Sequence, residues 1–215
     1  MNSFSKEAFL EIEKELERQP IPTNEYRNTA GAGRSQVFGI VGRRCLSPDY
    51  SRLCWMRPYL YKLLLDFGEQ YVDISYNAIT LNQNYRAAPH KDKNNIGDSF
   101  LVAFGNYTGG NLRIYEGDLS GSHNIKYTPL ITDFSKVLHS VEEWEGERYS
   151  LVYYWFENSR SVPLPPPSVR KEGSKWFFYR GDKKITRQEG LPHPLRGRKK
   201  DHPEGAAVSF TVNFE

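Results

Sequence analysis

The sequence predicts a mainly β domain of α+β type, a jelly-roll core supported by helices at its N-terminal side. Three observations carry this reading. Two segments before Gly68 show the apolar period of an amphipathic helix, one near Lys6 to Arg18 and one from Pro58 onward. Beyond Gly68 that period is gone. In its place come short runs rich in β-branched and aromatic residues, "ISYNAITLN", "SFLVAFG", "NLRIY", "KYTPLI", "SKVLHSV" and "RYSLVYYWF", separated by turn formers. Many short strands at close spacing must cover their apolar faces against one another, as in a β-sandwich or barrel.

In chain order, Ala8, Phe9, Ile12 and Leu16 form one stripe of the first helix, with Ser5 placed to cap its N-terminus. "QPIPTNEYRNTAGAGRS" has turn residues and no period, so it reads as a surface loop leading to a short strand, "SQVFGIVGRRC". Pro58 suits the first turn of the second helix; Tyr59, Leu60, Leu63, Leu64 and Phe67 lie on its buried side, and Gly68 stands near its end. The strand runs follow. "SVPLPPPS" then excludes helix and interior strand and reads as a stiff linker. After it come a hairpin around Arg180-Gly181-Asp182, the basic "HPLRGRKK" and a last strand, "AAVSFTVNF". The division is a core over 1–159 with its helices, and a Pro-rich linker with a basic, aromatic extension over 160–215.

At 215 residues, 38% hydrophobic and 26% charged, the chain can bury a core of its own and is not of disordered composition. It holds no apolar run long enough for a membrane helix, and its opening residues are too acidic and amphipathic for a signal peptide. That points to an intracellular protein, cytoplasmic or nuclear. Cys45 and Cys54 have neither zinc spacing nor a framework to staple, and read as reduced thiols. The net charge of +3 is unevenly spread: residues 160–215 carry 12 Lys/Arg against 6 Asp/Glu, the remainder 17 against 20. The extension thus suits a polyanionic partner, nucleic acid among them.

The chemistry is concentrated in "AAPHKDKNN". An HxD pair can arise by chance, and His202-Pro203-Glu204 is a decoy with the same spacing and no histidine after it. His90-x-Asp92 has better company. His139 lies in an apolar, strand-like run 49 residues on; His123, in a Gly/Ser turn, is the weaker alternative. Two imidazoles and one carboxylate on one face form an Fe(II) site with open positions for a co-substrate and O2. Arg148 opens the next run, and its guanidinium can grip a carboxylate with two parallel bonds while Ser150, on the same face of a strand, adds a third.

His90-x-Asp92, His139 and Arg148-x-Ser150 together resemble the signature of the Fe(II)/2-oxoglutarate-dependent dioxygenases. Between Ser75 and Phe156 the wording "LNQNYRAAPHKDKNN-IGDSFLVAFGNYTGGNLRIY" and "HSVEEWEGERYSLVYYW" is similar to the TET/JBP branch, which oxidises the 5-methyl group of pyrimidine bases in nucleic acid. The resemblance implies a double-stranded β-helix. It implies iron ligation by His90, Asp92 and His139, and a grip on the distal carboxylate of 2-oxoglutarate by Arg148 and Ser150. Asn82 and Tyr76, on the strand before the HxD turn, would touch co-substrate or substrate, and Lys91, Lys93, Asn94 and Asn95 would face the substrate. Turnover would decarboxylate 2-oxoglutarate to succinate and hydroxylate the base.

The residues also admit plainer roles. His90 and His139 could be structural, Asp92 could cap its turn, and Arg148 could pair at the surface with Glu145 or Glu147. Gly109-Gly110 reads as a turn. In "WFFYR" alternate aromatics either pack on the core or stack with a nucleic acid. Two other functions stand beside the first: the same oxygenase chemistry on a protein side chain or small molecule, and a non-catalytic nucleic-acid-binding jelly roll.

Overall fold

The computed structural model describes residues 3–23, 31–43, 46–156, 164 and 166–186. Cys45, the decoy at 202–204, the run "HPLRGRKK" and the final strand expectation lie outside them. A 3-10 turn, Lys6–Phe9, leads into α1 (Leu10–Arg18); β1 (Gly31–Arg43) and β2 (Leu46–Tyr50) precede α2 (Leu53–Met56) and α3 (Pro58–Tyr71). The strands of the roll follow: β3 (Ala78–Ala87), β4 (Asn95–Phe104), β5 (Tyr107–Gly109), β6 (Leu112–Ile114), β7 (Gly121–His123), β8 (Leu130–Thr132), β9 (His139–Val141), β10 (Trp144–Gly146) and β11 (Tyr149–Phe156). Last come β12 (Pro167–Glu172), β13 (Lys175–Arg180) and β14 (Lys183–Ile185).

The main sheet has the order β2-β1-β3-β11-β4-β8, and a smaller sheet, β7-β6-β9, faces it and gains a rung where His90 bridges His139. The chain passes between the two: β3, the His90 rung, β4, β6 and β7, β8, β9, β11. That alternation is the jelly-roll path, so the predicted fold class holds. It also explains the unbroken apolar run in β4, which is buried on both sides. Phe100, Val102 and Phe104 pack towards the helices with Phe9, Leu16, Leu64 and Phe67, while Leu101 and Ala103 join Leu112, Ile114 and Phe134 inside the roll.

One local expectation changes, the start and cap of the first helix. The first helical segment begins as a 3-10 turn, and Ser5 contributes its carbonyl to Ala8 N–H at 3.2 Å while its side chain makes no capping bond. Gly68 stands near the end of its helix, as expected, in the last turn before Tyr71. It is there for space: a Cβ would stand 2.2 Å from the Tyr76 hydroxyl and 2.9 Å from the Tyr153 ring. Of the two roles open to the aromatic run, Trp176 and Phe178 take packing: Trp176 stacks on Tyr59 with centroids 5.3 Å apart and Phe178 meets Tyr50 at 5.2 Å. β12-β13-β14 therefore lies over the helices, on the side away from the roll's interior. No described helix is long and apolar enough to cross a membrane.

Cys54 is fully buried beside Gly39, and burial pushes its thiol up to about 12, which excludes it as a nucleophile. The helical layer is pinned by an ion pair with both partners inside: Arg57 Nη2 donates to Glu15 Oε1 at 3.2 Å, with side-chain exposures of 6% and 5%. Arg57→Ala leaves Glu15 with Arg18, whose Nη2 lies 2.7 Å from Oε2, as its remaining arginine, and is expected to cost about 1.5–3 kcal/mol in denaturant unfolding, the worth of a hydrogen bond to a charged group.

Candidate metal and co-substrate site

The HxD turn is built by backbone bonds to the smaller sheet. His90 N–H donates to the His139 carbonyl at 2.9 Å, and His139 N–H returns the bond at 3.0 Å, so the rung that extends the sheet also places the two imidazoles side by side. Their ring centroids are 4.4 Å apart. Asp92 N–H donates to the Phe134 carbonyl at 3.0 Å, which turns its carboxylate back towards the histidines. His90, Asp92 and His139 each offer a ligand atom, and all three atoms lie within 4.8 Å of one another.

Both imidazoles are held in the same sense. His90 Nδ1 sits 2.7 Å from the Ala88 carbonyl, and His139 Nδ1 3.0 Å from the Val137 carbonyl. A carbonyl only accepts, so each Nδ1 carries the proton and each Nε2 presents its lone pair. Asp92 Oδ1 lies 3.4 Å from His90 Nε2, while Oδ2 accepts from Asn95 Nδ2 at 3.2 Å. The carboxylate of Asp92 raises the proton affinity of His90; burial lowers that of His139. Two neutral imidazole nitrogens and one carboxylate oxygen, each oriented by an outer partner, fit a divalent iron.

Arg148 lies inside the roll. It is 1% exposed, and no carboxylate pairs with it among the described residues. Nε donates to the Gly110 carbonyl at 3.2 Å, the Tyr107 and Trp144 rings flank the guanidinium at 5.5 and 5.6 Å, and Nη2 has no hydrogen-bond partner. Burial lowers its pKa. The surface pairing with Glu147 is thereby set aside: Glu147 accepts from Gln83 at 2.9 Å and Asn84 at 2.8 Å, and these donors overcome its partial burial and keep its carboxyl below the ordinary range.

Ser150 and Asn82 face each other across β11 and β3, on the same interior side as Val152, and Asn82 Nδ2 donates to Ser150 Oγ at 3.1 Å. Asn82 Oδ1 is buried without a partner. Arg148 Nη2 and Asn82 Oδ1 are thus two of the four orphaned side-chain atoms among the described residues, and both belong to this interior. Such groups are costly unless something binds them. A dicarboxylate with an end on Arg148 supplies what the guanidinium lacks.

Tyr76 does not join this group. It precedes β3, and its ring packs against Tyr153 at 4.9 Å beside Gly68, on the helical side of the main sheet. Tyr153 alternates away from Ser150, so a residue packed on Tyr153 is screened from the interior. Of the loop residues, Lys91 pairs with Glu116 at 2.5 Å, Asn95 is turned towards Asp92 and Ser99, and Lys93 and Asn94 are exposed. His123 is in contact with the Leu119 carbonyl of its own loop and is not part of the cluster.

Two contributors escape motif reading. Asn84, at φ 49, donates its Nδ2 to Glu147 and clamps Arg148: its side-chain oxygen accepts the Arg148 N–H, and its own N–H donates to the Arg148 carbonyl, both at 2.8 Å. Gly110, at φ +65, would put a Cβ 2.9 Å from both Cδ and Nε of Arg148. The glycine is a cradle as well as a turn. Gly110→Ala should cost about 1–3 kcal/mol in thermal unfolding through strain and crowding, and should weaken co-substrate binding, read by titration calorimetry.

No family model matches the chain, and no curated protein does. Solved structures do. NgTET1 in complex with 5mC DNA is similar at a TM-score of 0.51 and 18% identity, over 74% of this chain and 72% of that one. A prolyl-4-hydroxylase from Pseudomonas putida covers 72% of this chain and 86% of its own at 15% identity and a TM-score of 0.43. A 2OG-Fe(II) oxygenase family oxidoreductase from Burkholderia pseudomallei covers 68% and 77% at 19% identity and a TM-score of 0.46. The path of the chain between two facing sheets, together with the likeness to NgTET1, identifies the fold as the jelly-roll double-stranded β-helix.

Proposed function

We propose that this protein is an Fe(II)/2-oxoglutarate-dependent dioxygenase that oxidises a pyrimidine base, at a 5-methyl group, in nucleic acid. The observation that carries the oxygenase reading is the pairing of a His-Asp-His cluster with a buried guanidinium that has no carboxylate partner among the described residues, both in one roll. His90, Asp92 and His139 would hold iron. Bound iron supplies activation of O2, coupled to decarboxylation of 2-oxoglutarate to succinate. Arg148 would bind the distal carboxylate, Ser150 and Asn82 would line the channel beside it, and the Tyr107 and Trp144 rings would keep water from the guanidinium. Lys93 and Asn94, exposed on the HxD turn, stand where a substrate would approach.

The choice of nucleic acid rests on the motif resemblance and on the fold shared with NgTET1, whose structure contains 5mC DNA. A base stacked in a duplex would have to be extruded to reach ligands inside the roll. The test is incubation of the purified protein with Fe(II), 2-oxoglutarate and plain or methylated DNA and RNA oligonucleotides, followed by digestion and mass analysis of the nucleosides. A nucleoside gaining one oxygen atom, absent with His139→Ala, is the expected result. Succinate release that responds to peptides or metabolites and leaves every nucleoside unchanged would overturn the substrate and keep the iron chemistry.

A further inference from the structure

We infer that the outer face of the β12-β13-β14 sheet is a second nucleic-acid contact surface, one that holds the phosphate backbone on the side of the molecule away from the metal cluster. Residues 167–185 contain six Lys/Arg against two Asp/Glu. The strand register sorts them. Trp176 and Phe178 point inwards onto the helices, and Val169 and Ile185, on the same side as Phe178, join that core. Arg170 pairs with Phe177, Glu172 with Lys175 and Lys184 with Tyr179, so these residues share the opposite, outward face.

On that face the aromatic rings support cations. Lys184 Nζ lies 3.3 Å from the centroid of Phe177, and the Arg170 guanidinium lies 4.5 Å from that of Tyr179. Glu172 takes a bond from the Tyr179 hydroxyl and one from Lys184 at 2.5 Å, which fixes the middle of the patch. The rings are covered, so they are not a platform for stacked bases. They hold Arg170 and Lys184, with Lys175 beside them, in a row of positive charge along a short sheet.

The support is rigid. Arg180 donates to Asp49 at 2.6 Å, and the Trp176 and Phe178 contacts tie β13 to the core, so little side-chain or loop order is lost on binding. Fixed cations in excess over two acids, Glu172 beside Lys184 and Asp182 3.7 Å from Arg170, suit a regular polyanion read by charge and not by sequence. The choice of nucleic acid among polyanions rests on the function proposed above. Because the sheet covers the helices and the ligand cluster lies inside the roll, a nucleic acid held here is gripped away from the reacting base, by the same strand or by another segment.

The test uses the full-length, metal-free protein and measures binding of a labelled mixed-sequence duplex and its single strand by anisotropy across a salt series. Each phosphate contact with duplex DNA contributes about 0.9 to the slope of log affinity against log salt. Replacing Arg170, Lys175 and Lys184 by glutamine should weaken binding on the order of 10-fold and flatten that slope by about 2 to 3. A control that removes the same charge elsewhere, Lys6, Lys14 and Lys62 to glutamine, should leave the slope nearly unchanged. The single variant Lys175→Gln, which sets no like charge opposite Glu172 and breaks none of the side-chain bonds described above, should weaken binding in the same direction and guards against misfolding of the triple variant.

Equal losses in both triple variants, no binding by the wild type, or binding only to anionic lipid vesicles would each overturn the inference. Since binding is read without turnover, loss of duplex affinity in the triple variant stands even if no base is oxidised. Base oxidation that survives with binding unchanged leaves the proposed function and removes this surface.

Discussion

Replacement of His139 or Asp92 by alanine is expected to lower Fe(II) affinity by well over 100-fold. The cluster offers three ligand atoms, and loss of an outer partner alone costs about 10–100-fold at a site of that kind. Metal content after desalting, set beside the wild type, reads this directly and needs no substrate. His139 is also one half of the rung with His90, but that rung is made by backbone N–H and carbonyl groups, which alanine retains. The expected His139→Ala protein is therefore folded, with unchanged far-UV dichroism, and metal-poor. An iron content equal to that of the wild type would show that the cluster is structural. Asn95→Ala, which keeps His90, Asp92 and His139 and removes the bonds to Asp92 Oδ2 and Ser99 Oγ, should fall between the two.

The second large effect has opposite signs for binding and for stability. Arg148→Met removes a buried charge whose Nη2 is unpartnered and whose Nε has one carbonyl acceptor. A side chain of similar length and no charge should leave the protein equally stable or more so without co-substrate, because the desolvation cost of the guanidinium disappears. The same change should abolish the thermal stabilisation that 2-oxoglutarate confers on the metal-loaded protein. Truncating one partner of a buried charge pair costs about 2–5 kcal/mol in affinity, or about 30- to 5,000-fold. Arg148→Lys keeps the charge and loses the fork, so it should recover part of the affinity. If Arg148→Met unfolds the protein while 2-oxoglutarate binding by the wild type is undetectable, the arginine serves only the core.

The strands around the site were legible because period-two alternation is a local property. "RYSLVYYWF" places Arg148, Ser150 and Val152 on one side and Tyr149, Leu151 and Tyr153 on the other, and the structure keeps that division. His139 was legible as a histidine in an apolar strand run. Tyr76 was misplaced because the sequence reading began its strand at Ile74, whereas β3 begins at Ala78 and Tyr76 folds back onto Gly68 and Tyr153. Asn84 and Gly110 gave no motif signal. Their roles depend on a left-handed backbone and on contacts with Arg148 that are 64 and 38 residues distant in the chain.

The sequence by itself determined the two longer helices and the principal strand runs of the roll, the imidazole and carboxylate chemistry of His90, Asp92 and His139, and the excess of positive charge beyond residue 160. These follow from spacing, side-chain chemistry and composition, which are properties of neighbours along the chain. Only the tertiary structure decided that Arg148 is buried with no carboxylate beside it among the described residues, that both Nδ1 atoms are claimed by carbonyls, and that Trp176 and Phe178 turn the extension's aromatic run onto the helices. Each of those depends on which distant backbone groups and side chains are brought within a few ångströms, and that is set by how the sheets pack.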